Sequence, residues 1–421
     1  MTPERPPTVF IDDLADPQFA PEVMPIRQMM ADFGATLSLE PDALMAAATE
    51  ATGLDDFGDD GFRPRLEILT TALVREAGLG PQGITANFAQ LSQLLKNRLL
   101  LQDLFKRHPE IDDVAIERPI VICGLPRTGT THLHNLISAD PSLRSLPYWE
   151  SLEPVLADHE RPPDGEPDPR LARCEEGLAY INTTMPYFKR MHDMYVDHVH
   201  EEIQLLAIDM STMLFETMAI IPSWRDEYMA TDQTPIYAYL KRVLKALTWL
   251  RGGTRWVLKS PQHLEQFPVL RATFPDATFV VTHRDPVSIC ASLATMIAYT
   301  ARLSHARVDP VRIGGYWAER LETMLRACVR DRDVLPADQS IDVRFHEFMA
   351  DDVAMVERIY ALAGQPFTAE GRAAMDAFMA EHPRGVHGGL RYDLAQFGLD
   401  GTELRRTFEF YTDRFGVEIE Q

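Results

Sequence analysis

The stretch Pro119-Ile120-Val121-Ile122-Cys123-Gly124-Leu125-Pro126-Arg127-Thr128-Gly129-Thr130-Thr131 decides the fold class. Its first five residues are a short continuous apolar run, as expected of a strand buried on both faces of a parallel sheet. A glycine-bearing loop follows, and then Leu133, Leu136 and Ile137 recur at helical spacing until Asp140-Pro141. Strand, loop and helix in this order form the opening unit of an α/β nucleotide fold. Gly124 and Gly129 keep the spacing of G-x-x-x-x-G-K-[ST], and Thr131 fills its hydroxyl position, but Thr130 stands where the lysine should be. That lysine reaches the β- and γ-phosphates of a nucleoside triphosphate. The loop keeps backbone donors, three threonine hydroxyls and a cation at Arg127, which suits an anion but not ATP hydrolysis.

Outward from this loop the alternation continues. Thr234 and Pro235 open a helix with the stripe Ile236, Leu240, Val243, Leu247 and Leu250, stopped by Gly252-Gly253. Strands are predicted at 255–258, 278–282 and 341–345, and a further one at Leu143–Trp149. Asp285 and Pro286 are the expected cap and first residue of another helix. The expectation is a P-loop-like three-layer α/β/α fold with a mainly parallel sheet, its ligand at the carboxyl ends of the strands. Residues 1–115 are read as a helical N-terminal region for packing or self-association, with the stripe Ile84, Phe88, Leu91, Leu95 and Leu99. Residues 116–421 form the α/β domain, carrying a helical insert at about 150–253 on the acceptor side.

Composition narrows the partners. With 41 basic and 63 acidic residues the formal charge is −22, which argues against nucleic acid, whose binding needs a basic footprint. The four cysteines show no paired spacing, in keeping with a reducing cytoplasm. The opening residues lack the pattern of a secretory signal. The apolar stretch Leu205–Ile221 contains Asp209 and Glu216, so no membrane span is expected.

At these residues the chain resembles the PAPS-dependent sulfotransferases, where PAPS is 3′-phosphoadenosine 5′-phosphosulfate. Pro126-Arg127-Thr128-Gly129-Thr130-Thr131 matches their P-[KR]-[ST]-G-T-T phosphosulfate loop throughout. Arg284, followed by Ser292 eight residues on, matches the pair that binds the 3′-phosphate; Ser288 lies on the same helical face. Lys259-Ser260-Pro261 matches a strand-end lysine about two dozen residues before that arginine, and Arg384-Gly385 a looser basic loop that closes on the 3′-phosphate. The blocks GLPRTGTT, LKSPQH and THRDP are those of a bacterial branch with a helical N-terminal extension.

The resemblance implies PAPS as sulfuryl donor, PAP as product and no metal. Arg127 and Lys259 would attend the phosphosulfate; Arg284, Ser292, Arg384 and Gly385 would hold the 3′-phosphate. The acceptor hydroxyl of a small molecule, lipid or natural product then needs a general base. Glu150, after the expected Leu143–Trp149 strand, and His263, four residues past Lys259, are the candidates. A third source is the insert, with His192, His198, His200, Glu201 and Glu202, read as a solvated helix face or lid. His198 and Glu202 lack a third metal ligand in that reading. The rival readings are a small-molecule kinase on a degenerate P-loop and a non-catalytic adenine-nucleotide binder.

Overall fold

The computed structural model describes residues 6–163 and 165–420. Four parallel strands make the central sheet: β1 (Ile120–Cys123), β2 (Val257–Ser260), β3 (Thr278–His283) and β4 (Ser340–Arg344), in the order β2-β1-β3-β4. Alternation along β1 divides its side chains between two cores. Val121 and Cys123 join the large cluster that includes the N-terminal helices, and Ile120 and Ile122 face a second cluster with Leu133, Val280 and Ile359. Burial on both faces is why the strands read as unbroken apolar runs.

Several helices position the site. α1 (Pro81–Arg107) buries Leu91, Leu95 and Leu99. α2 (Thr130–Ser138) follows the glycine loop directly, and α3 (Thr234–Arg251) leads into β2. α4 (Pro286–Ala301) starts at Pro286, where the Asp285 side chain accepts from the Val287 N–H at 3.0 Å. α5 (Pro310–Asp331) carries the buried Arg320, which pairs with Glu216 of the insert and Glu265 of the turn after β2. That ion triad ties the segment beyond Lys259 to two other parts of the chain.

Two expectations are corrected. Leu143–Trp149 does not form a sheet strand: only Leu146–Pro147 is extended, and it pairs antiparallel with Val199–His200. Pro147 lacks an N–H for a central ladder and instead precedes a short helix, Tyr148–Leu152. The insert therefore holds a strand segment at 199–200 where helix was expected. No helix among the described residues is long and apolar enough to cross a membrane.

Candidate active site

The glycine loop is built by close approach and by two left-handed residues. A Cβ on Gly124 would lie 1.9 Å from the Thr282 hydroxyl oxygen, so only glycine lets the loop leave β1 beside β3. Arg127 (φ 71°) and Gly129 (φ 83°) reverse the chain, an uncommon conformation for arginine. The Thr128 hydroxyl donates to the Leu125 carbonyl at 2.7 Å and lies 2.8 Å from that of Thr282. The loop thus aims the first-turn N–H groups of α2, which lack intrahelical partners, at the end of the sheet.

The expected cations gather around this loop, and each is held by a protein acceptor. Arg127 donates through Nε to Ser292 Oγ at 2.9 Å and through Nη1 to the Met191 carbonyl. Arg284 donates through Nη1 to the Arg127 carbonyl at 2.6 Å, stacks on Phe345 at 4.0 Å, and grips both carboxylate oxygens of Glu420 at 2.5 and 2.7 Å. Lys259 is buried at the end of β2; its Nζ pairs with Glu201 and its N–H donates to Glu202 at 2.8 Å. Arg384 donates to Asp352 at 2.8 Å, in a trio with His132, and Gly385 is left-handed (φ 73°).

Two cavities flank the group. One of about 550 Å³ is lined by Arg127, Thr131, Tyr195, His192, His198 and Arg384. The other, about 400 Å³, is lined by Arg284, Arg344, Phe345 and Glu420 among others. Arg127 thus faces the first and Arg284 the second, joined through the Arg127 carbonyl, while Lys259 lines neither.

The two foremost base candidates are placed elsewhere. Glu150 is buried against Arg144 at 2.6 Å, with Arg251 2.9 Å from its other oxygen, and does not line either cavity. Its expected position depended on a strand that does not form. His263 is fully buried, with Nε2 2.5 Å from Glu202 and Nδ1 2.8 Å from the Tyr237 hydroxyl. Both ring nitrogens therefore have partners, one of them Glu202, which in turn accepts from the Lys259 N–H. His263 supports the position of Lys259 without reaching the cavity.

The residues expected on a solvated face lie inside instead. His198 and His200 are 2% and 7% exposed, and His134 of α2 is 1% exposed beside them. Burial, and then the charge of Lys259, pushes His198 down to about 4. Burial is also the largest cause that holds His134, His192 and His200 well below the usual imidazole range. These rings are neutral at pH 7 and keep lone pairs to offer. Sequence reasoning missed His134, whose only signal is its place on the inward face of the loop helix.

The model of the sulfotransferase family matches residues 119–369, more than half of the chain. The chain belongs to the sulfotransferase family. Among solved structures it is similar to sulfotransferase STF1 from Mycobacterium tuberculosis H37Rv, with 33% identity over 87% of this chain and 98% of that one and a TM-score of 0.77. Sulfotransferase STF9 from Mycobacterium avium is also similar, with 26% identity over 91% and 99% and a TM-score of 0.81. A search of curated protein sequences finds no match. As a sulfotransferase, the protein has a stated reason for replacing the P-loop lysine: the transferred group carries a single negative charge.

Proposed function

We propose that this sulfotransferase moves a sulfuryl group from PAPS to a hydroxyl of a small-molecule, lipid or natural-product acceptor and releases PAP, with protein cations in place of a metal. The observation that carries this reading is the placement of Arg127, Lys259 and Arg284 at the carboxyl ends of the neighbouring strands β1, β2 and β3, each paired with an oxygen that an incoming oxyanion would replace. Glu420 on Arg284 stands where a terminal phosphate would make the same paired hydrogen bonds.

In the reaction the acceptor oxygen forms a bond to sulfur while the bond from sulfur to the bridging phosphate oxygen breaks. Charge develops on that bridging oxygen, and fixed cations stabilise it without reorganising. Lys259 takes this role by exchanging Glu201 for the phosphosulfate. The acceptor proton goes to His198, which lines the cavity, makes no side-chain hydrogen bond among the described residues, and feels Lys259 more than any other charge. The negative charge that the bound donor brings next to His198 favours its protonated form and makes it a better base. The kinase and pure-binder readings gain no support from this arrangement.

The test is Arg284→Ala. PAP affinity is expected to fall about a hundredfold, a change of the size expected when a charged, paired hydrogen bond is lost. Adenosine 5′-phosphosulfate, which lacks the 3′-phosphate, should lose less than about threefold in the same calorimetric titration. Equal losses for the two ligands would remove Arg284 from the 3′-phosphate.

A further inference from the structure

We propose that His192, His198 and His200 form a binding site for a single zinc-class divalent ion, and that filling it inhibits the enzyme. One nitrogen from each ring lies within 4.8 Å of the others. A tetrahedral ion about 2.1 Å from each nitrogen needs them about 3.4 Å apart, a difference that side-chain rotations close. Local structure holds the three rings together: the Val199–His200 strand pairs with Leu146–Pro147, and Tyr148 packs on His200 with ring centroids 4.7 Å apart. His192 and His198 meet edge to face at 5.3 Å, and His198 and His200 at 6.1 Å.

The second observation is the missing partners. Among the described residues no side-chain hydrogen bond reaches these three rings, and Nδ1 of His200 is buried without any. His263 and His283, also buried at the sheet ends, each use both nitrogens, whereas His134 beside the trio leaves both of its own without a partner. A buried imidazole left without a partner is costly, so a cluster of them points to an absent ligand. Three imidazoles with no carboxylate or thiolate favour zinc or a similar transition ion over magnesium or calcium, which prefer oxygen. Because His192 and His198 line the cavity, the fourth position faces it, as in three-histidine sites that keep one place open.

An ion there takes the lone pair of His198 and adds positive charge next to Lys259, so the acceptor proton has nowhere to go. This inhibitory role rests on the base assignment above; the binding itself does not. The experiment uses chelator-stripped full-length protein titrated with Zn2+ by calorimetry and with Co2+ by visible absorption. The expected result is about one ion per chain, with the intense visible bands of a four-coordinate cobalt centre. Both His200→Ala and His192→Asn should weaken binding at least about a hundredfold while the folded circular dichroism signal persists. Absent stoichiometric binding, or binding unchanged in both variants, would overturn the site. Zinc that binds without lowering sulfuryl transfer would leave the site and overturn the inhibitory role. A protein that binds cobalt tightly but transfers no sulfuryl group to any hydroxyl would instead strike the proposed reaction.

Discussion

Lys259→Met is expected to lower kcat for sulfuryl transfer by about a thousandfold, or about 4 kcal/mol of transition-state stabilisation. The reasoning starts from burial. Lys259 is 3% exposed at the carboxyl end of β2, and its ammonium already has a carboxylate partner in Glu201. In so dry a position a cation acts on developing charge far more strongly than in water. Methionine keeps the length and the apolar stem but supplies no charge to the leaving oxygen. Glu201 would then be left unpaired and would repel the nucleotide, so the double variant Lys259→Met/Glu201→Gln gives the cleaner comparison. PAP affinity of that double variant should stay within about tenfold of wild type, because Arg284 and the loop's own donors are expected to hold its two phosphates. A double variant that turns over at near-normal rate would take Lys259 out of the chemistry.

The second large effect separates the base candidates. His198→Gln should cut kcat by about two to three orders of magnitude, the usual contribution of a positioned general base, with PAP affinity preserved. Glu150→Gln is expected to behave in the opposite way. Removing a carboxylate that is buried against Arg144 and Arg251 leaves uncompensated charge and should cost about 3–5 kcal/mol of stability. Turnover per folded molecule should remain close to wild type. Thermal unfolding paired with single-acceptor kinetics reads both quantities. If Glu150→Gln lost turnover while His198→Gln kept it, the proton acceptor would sit on the other side of the insert.

How much of this was legible in the sequence depended on how local each feature is. β1, β2, β3 and β4 all fall within two residues of their expected positions because burial on both faces writes an unbroken apolar run into each. The glycine loop is equally local, since its spacing, its cation and the following helix lie within one short segment. The strand expected at Leu143–Trp149 failed because its pattern contains Pro147, and because its partner, Val199–His200, lies some fifty residues away. The same long-range pairing turns His198 and His200 inward, so a set of residues that reads as polar becomes buried. No periodicity within 191–203 carries that information. The surroundings of His263 are not legible for a related reason: Tyr237 and Glu202, both remote in the chain, close off its two nitrogens.

The contacts of Arg284 are set in three dimensions and not by its motif. The family resemblance linked it to Ser292, and the two are joined through Arg127, which donates to Ser292 while its carbonyl accepts from Arg284. The loop at 126–131 and the Arg284 and Ser292 side chains are thus linked by direct hydrogen bonds.

The proposed site is an anion cradle charged by side chains alone and suited to a doubly phosphorylated adenosine. Isothermal titration of the chelator-treated protein with PAP, set beside ATP with magnesium, tests it most directly. The expected result is saturable PAP binding without any divalent ion and at least about a hundredfold weaker binding of ATP with magnesium. Equal affinity for the two, or PAP binding that appears only when magnesium is added, would contradict it.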